Sequence, residues 1–286
     1  MQQAQDFCDE SDALYGVLAP LDESAYRVAT LFNNWTINDV LQHLHHFNIM
    51  ADLSLTEPDR FTAEYAKTAA LRAEIGFVGA SNAWLDGLCG KPLLEAWRSY
   101  YLDMTPRFAA SDPKQRVKWA GPDMSARSSI TARLMETWAH GQEVYDLLGI
   151  ERRNTDRIRN IAHLGVATFA WTFVNRGEVV PEPVPYVRLV APSGAVWQWG
   201  EASVGERVEG AAHEFAQVVC QTRNIADTRL NVTGPIATRW MAVAQCFAGP
   251  PKDPPAPGTR HTDPNGPSAL SGSADTSSST DLGASR

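Results

Sequence analysis

The stretch Arg133-Leu134-Met135-Glu136-Thr137-Trp138-Ala139-His140-Gly141-Gln142-Glu143 decides how this chain is read. Inside one helix, Glu136 and His140 stand one turn apart and share a face. Glu143 follows seven residues after Glu136, near the same stripe. A third donor lies earlier, in His43-Leu44-His45-His46. His43 and His46 are three apart and share a second face, while His45 sits well round from both. Facing helices in a bundle bring such stripes together, and bundle cores host metal sites built this way. Two imidazoles and a carboxylate suit a divalent ion such as Zn²⁺, Ni²⁺ or Fe²⁺, with coordination positions left open. Spacing alone also fits a plain i,i+4 contact between Glu136 and His140. Met135, Trp138 and Ala139 surround the pair with apolar bulk, so a buried Glu136 needs a partner. A metal is one such partner, and Arg133 or Arg127 is another.

Working outward, the 286 residues carry 44% hydrophobic side chains, enough for two cores, and a formal charge of -8. No basic stripe offers a footprint for nucleic acid. The four cysteines, Cys8, Cys89, Cys220 and Cys246, have no short paired spacing. They read as small buried hydrophobes in a reducing compartment, not as a disulfide framework or a thiolate metal site. The N-terminus lacks the charged and apolar regions of a signal peptide, and no stretch reaches the length of a membrane span. The expected location is cytoplasmic.

The first half reads as helices. These run from about Ala4 to Leu18, from a Thr36–Asp39 capping box to before Pro58, and from Phe61 to Leu88 with interruptions at Gly76 and Gly79. A helix opened by Pro92 continues to Phe108. The motif helix follows, capped by Ser128 or Ser129 and stopped at Gly149, and then a helix from Asp156 to Asn175. Trp35, just before the capping box, is placed to pack back on the first turn of its helix. The loop through Trp119 and Met124 borders the site end of the bundle. After Pro181-Glu182-Pro183 the texture changes. Tyr186–Val190 and Val196–Trp199 form a hairpin, with strands near 205–209 and 228–233 and helices near 210–221 and 235–247. The domain reading is a helical bundle over 1–178, a small α+β domain over 184–249, and a disordered tail over 250–286 rich in Pro, Gly, Ser and Thr.

Asn34-Trp35-Thr36-Ile37-Asn38-Asp39-Val40-Leu41-Gln42-His43-Leu44 and Met135-Glu136-Thr137-Trp138-Ala139-His140-Gly141-Gln142-Glu143 resemble the DinB-like metal-dependent superfamily, within it the mycothiol-dependent maleylpyruvate isomerase group. The nearest likeness is to an uncharacterised actinobacterial-type branch. Arg116–Ser125, Thr155–Arg159 with Ala162–Val166, and Ala244–Pro251 add to it, so that it covers roughly residues 1–250. The resemblance implies a mainly α chain: a DinB-like four-helix bundle followed by a small α+β, sterol-carrier-like domain. It implies a divalent metal, zinc foremost, held by His43, Glu136 and His140. His46 is not carried by the pattern and stands as a residue near the metal or facing substrate. The branch usually has Asp where this chain has Glu143, and an apolar or aromatic pair in place of His45-His46. The isomerase group uses an arginine of its second domain near the thiol, for which Arg223 and Arg239 are available here.

Three functions are open at this level. The first is a thiol-dependent isomerase or transferase acting on a small electrophilic molecule, with mycothiol or another low-molecular-weight thiol as cofactor and His46 or Glu143 moving the proton. The second is a hydrolase or hydratase using metal-activated water. The third is a non-catalytic metal- or ligand-binding protein, with Trp197, Trp199, Phe215 and Trp240 around an apolar cavity or simply packed as core. A monomer or homodimer is expected.

Overall fold

Five long helices succeed one another in the computed structural model, which describes residues 1–119, 121 and 123–263. They are α1 (Gln2–Leu18), α2 (Ile37–Thr56), α3 (Pro58–Trp84), α4 (Gly90–Ala110) and α5 (Ala126–Leu147). α1 packs on α4 and α5, α2 packs on the same two, and these four close a bundle; α3 packs against α2. Their shared seam includes Phe7, Leu14, Leu41, Leu44, Trp97, Leu134 and Trp138, all fully buried. Each such side chain contributes about 1.5–3 kcal/mol through burial.

The start of α2 is fixed as its sequence implies. Thr36 Oγ1 accepts from the Asp39 amide at 3.2 Å, and Asp39 Oδ2 accepts from the Thr36 amide at 2.8 Å. α3 breaks at Gly76, whose φ of 78° is left-handed, while Gly79 stays within the helix. α5 is capped by Ser125, earlier than expected from Ser128 or Ser129. The reason is a short antiparallel ladder, β1 (Arg116–Val117) with β2 (Met124–Ser125), which delivers the chain to the helix at that residue. The expected helix over 156–175 is divided into α6 (Arg159–Ala167) and α7 (Phe169–Val174) at Thr168. The Thr168 hydroxyl bonds back to the Leu164 and Gly165 carbonyls.

The smaller region is a four-stranded sheet in the order β4-β3-β5-β6. β3 (Tyr186–Val190) is antiparallel to β4 (Val196–Trp199) and parallel to β5 (Arg207–Ala211), and β5 is antiparallel to β6 (Asn231–Thr233). α8 (Ala212–Val219) packs on β3, β5 and α6, and α9 (Pro235–Val243) packs on α7 and β6. One apolar cluster runs from the bundle through α6 and α8 into the sheet. Phe215 and Trp240 are fully buried in it, ring centroids 5.8 Å apart, so they act as core and do not line a cavity. His163 accepts from the Trp199 indole at 3.2 Å and ties α6 to β4.

The segment after α9 departs from expectation. Residues 250–263, read in the sequence as the start of a disordered tail, lie as an irregular strap across the junction of the two parts. Gln245 Oε1 accepts from the Lys252 amide at 2.9 Å, and Gln221 Nε2 donates to the Lys252 carbonyl at 2.8 Å. Asn224 donates to the Pro255 carbonyl, and Asp227 accepts from the Gly258 amide. A Pro-rich segment with little secondary structure of its own is satisfied here by amide and carboxylate side chains of the preceding domain. Residues 264–286 of the expected tail lie outside the described residues. No helix among the described residues is long and apolar enough to cross a membrane.

The α6–α8 crossing depends on Gly165, where a Cβ would stand 2.8 Å from Val219 Cγ2 and 3.0 Å from Phe215 Cε1. Gly165→Ala is expected to cost about 1–3 kcal/mol through overpacking, measured as a lower urea midpoint with unchanged helix content. An unchanged midpoint would mean that the crossing yields freely.

Candidate metal centre

The site begins with a turn. Asn33 and Asn34 both adopt left-handed conformations (φ 50° and 59°), which asparagine tolerates better than most residues. The Trp35 amide closes on the Phe32 carbonyl at 2.8 Å, and Thr30 pairs back to Trp35 at 2.7 Å. This turn aims Phe32 and Trp35 at His140. The Trp35 ring lies parallel to the imidazole at 5.4 Å, and Phe32 meets it edge-on at 5.2 Å. Trp35 reaches back to its own helix at His43 and also across to α5 at His140. It walls the site, tilted on His43 at 5.6 Å and stacked on Phe77 at 5.9 Å.

Behind these rings α2 and α5 bring three donors together. His43 Nε2 lies 3.1 Å from Glu136 Oε2, and His140 Nε2 lies 3.3 Å from the same oxygen. One ligand atom from each of the three residues falls within 4.8 Å of the others. Bonds of 2.0–2.2 Å at tetrahedral angles need donor separations of about 3.4 Å, so the set fits a divalent ion with little movement. Glu143 completes the arrangement. Its Oε2 accepts from His140 Nδ1 at 3.1 Å, which fixes the tautomer and leaves Nε2 for a metal. His43 has no such support, since its Nδ1 is buried without a hydrogen-bond partner among the described residues.

The alternative partner of Glu136 is elsewhere. Arg133 is buried and donates to Asn48 Oδ1 at 3.0 Å, not to Glu136. His46 does not join the site. Its Nδ1 is 3.1 Å from Ser81 Oγ, its Nε2 faces Thr68 Oγ1 at 3.4 Å, and its ring stacks on Trp84 at 4.5 Å, all of α3. Three residues of separation along α2 put His46 over α3 instead of α5. Trp119 packs on Phe47 and Phe61, away from the donors. Arg223 and Arg239 are taken up by Asp146 and Glu178.

A pocket of about 90 Å³ opens beside Glu136 and His140. The bundle contributes Phe32, Glu136, His140 and Glu143 to its wall, and the second domain contributes Cys220 and Gln221. The strap supplies Lys252, Pro255 and Arg260, which the compositional reading of the tail had set aside. Cys220 and Cys246, far apart in sequence, lie with their sulfurs 3.6 Å apart. Burial pushes the Cys220 thiol well above its ordinary range.

The electrostatics divide the two histidines. Burial lowers His43 to about 4 despite its bond to Glu136. For His140 burial acts the same way, but Glu143 and then Glu136 outweigh it and raise the imidazole to about 9. Glu136 is lowered well below the ordinary carboxylate value because the two imidazoles overcome its burial penalty, and Glu143 is raised by burial.

The mycothiol maleylpyruvate isomerase N-terminal domain family matches residues 7–145, a span that holds all three donors. Uncharacterized proteins from two strains of Mycobacterium tuberculosis are 37% identical over 242 residues, covering 85% of this chain and 93% of theirs. The chain belongs to the DinB-like superfamily, in the family of the mycothiol maleylpyruvate isomerase N-terminal domain. Crystal structures of the mycothiol-dependent maleylpyruvate isomerase and a mutant of it align with a TM-score of 0.47 at 13% identity, over 76% of this chain and 87% of theirs.

In metal-free protein the stability added by the raised His140 is complete below pH 6.5 and fades as pH rises through about 9. That added by keeping His43 neutral is present above pH 6.5 and fades as pH falls toward about 4. Chelator-treated protein is therefore expected to be most stable near pH 6.5. Its urea midpoint should fall on either side, and His140→Asn should abolish the alkaline decline. A wild-type midpoint that stays level from pH 6.5 to 9 would contradict the assignment.

Proposed function

We propose that this chain is a divalent-metal-dependent enzyme, with zinc as its metal, that uses a low-molecular-weight thiol of the mycothiol kind to isomerise or S-transfer a small electrophilic substrate. The observation that carries the reading is the convergence of His43, Glu136 and His140 beside an open pocket. The family match supports the thiol. Cys220, on the pocket wall, has its thiol pushed up by burial and is a poor nucleophile, which suits a reaction whose thiol is supplied from outside.

His43, Glu136 and His140 would hold the metal. When bound, a metal of this kind supplies Lewis acidity that ionises a thiol or polarises a carbonyl. The chain's own residues do the rest. Glu143 keeps the His140 Nδ1–H engaged, and as a carboxylate raised by burial on the pocket wall it is suited to accept a proton from an incoming thiol and return it. Phe32 and Trp35 shield one side of His140 from water.

Elemental analysis of purified protein is expected to find a divalent metal, lost in His43→Ala and Glu136→Gln. Protein that remains metal-free and takes up no zinc would refute the reading. Glu143→Gln should keep the fold while weakening metal affinity by about 10–100-fold. Turnover of an electrophile should require added thiol; turnover without it would transfer the site to metal-activated water.

A further inference from the structure

The two imidazoles of the centre are held in different ways. Glu143 engages His140 Nδ1, but His43 Nδ1 is buried with no hydrogen-bond partner among the described residues. A histidine that ligates through Nε2 normally fixes its ring by donating the other N–H to an oxygen. His43 is instead packed among aromatic rings. Phe47, Phe77 and Trp35 lie with their centroids 4.8, 5.5 and 5.6 Å from its own. Aromatic faces are weak acceptors for an N–H, so the orientation of His43 rests on contact with these rings.

The three rings reach His43 by different routes. Phe47 stands one turn further along α2 and moves with that helix. Trp35 touches both imidazoles. Phe77 comes from α3, outside the four-helix bundle, and packs on His43. It lies nearly parallel to Trp35 and to Phe47, each at 5.9 Å, and so closes the set of rings. The Arg72 guanidinium stands 4.7 Å from its centre. The backbone explains how Phe77 gets there. Gly76, immediately before it, has φ 78° and ψ 177°, a combination open essentially to glycine alone. A Cβ at Gly76 would meet nothing within 4 Å, so the demand for glycine is one of conformation, not of space. The break in α3 sets Phe77 against His43, yet Phe77 remains 39% exposed and adds little to the core.

We propose that Phe77, presented by the Gly76 break, is a positioning residue that orients His43 Nε2 toward the cation, given the reading of His43, Glu136 and His140 as a metal centre. Its ring takes the place for His43 that Glu143 fills for His140. Without it the His43 imidazole is free to turn about its side-chain bonds, and the centre keeps two well-placed donors instead of three.

The test uses the full-length protein and two ions: Zn²⁺, followed by competition with a chromogenic chelator, and Co²⁺, followed by its visible ligand-field spectrum. Phe77→Ala should weaken Zn²⁺ binding by about 10–100-fold and shift the Co²⁺ bands, with the urea midpoint of the metal-free protein unchanged. Phe77→Tyr, which keeps the ring, should retain wild-type affinity and bands. Gly76→Ala should weaken Zn²⁺ as Phe77→Ala does. The double variant should lose no more than either alone, since both act through one ring. A Phe77→Ala protein with wild-type affinity and an unchanged Co²⁺ spectrum would overturn this role and leave the metal centre standing. So would a loss of affinity matched by a fall in midpoint, or a loss that Phe77→Tyr shares. A wild type that takes up neither ion overturns the metal reading and this role together.

Discussion

Asp146 joins the three parts of this molecule. From the last turn of α5 its two oxygens take both Nη atoms of Arg223 at 2.7 Å each. Oδ1 also accepts from Gln142 and Thr262, and the backbone carbonyl accepts from the Asp263 amide at 2.9 Å. The bundle, the second domain and the strap therefore meet at one buried carboxylate, one helical turn beyond Glu143. Breaking a buried pair of this kind by removing one partner costs about 3–5 kcal/mol, because the other charge stays buried and unpaired. The pocket is assembled from the same three parts, so its shape depends on this junction as much as on the donors.

The donors themselves are shared between two helices. Glu136, His140 and Glu143 sit on one helix and keep a fixed relation, whereas His43 comes from α2 and is brought in by the packing of α2 on α5. The four groups hold their proton unequally. His140 is bracketed by two carboxylates and keeps it, while His43 is deprotonated by burial. An incoming cation would displace a single proton, from His140, and meet a neutral His43 and an ionised Glu136. Metal uptake at such a site is coupled to pH through that one imidazole.

Much of this was legible in the chain. The spacing of Glu136 and His140, the capping box at Thr36 and the apolar periodicities placed the two donor helices, and the strands after Pro181 were evident from their alternation. Local pattern could not rank His43 against His46, because both face inward and only the tertiary position of α3 decides which one meets α5. It also missed the role of Asn33-Asn34. Two successive asparagines are a signal for left-handed backbone, and that turn is what directs Trp35 onto His140. The strap was misread for a different reason. Its composition correctly denies it a core of its own, yet its order comes from Gln221, Asn224, Asp227 and Gln245, whose partners are remote in sequence. Cys220 and Cys246 are neighbours on the same account, through the Cys246 amide bonded to the Val219 carbonyl.

The parallel stacking of Trp35 on His140 has an optical consequence. A protonated imidazole quenches an indole stacked on it by accepting an electron from its excited state, so the emission of Trp35 should be weak while His140 carries its proton. Any event that takes that proton away, by titration or by a cation bonding to Nε2, alters the quenching at a distance of 5.4 Å. The fold has thus placed a fluorophore against the ring whose state would report a metal bound at the proposed centre.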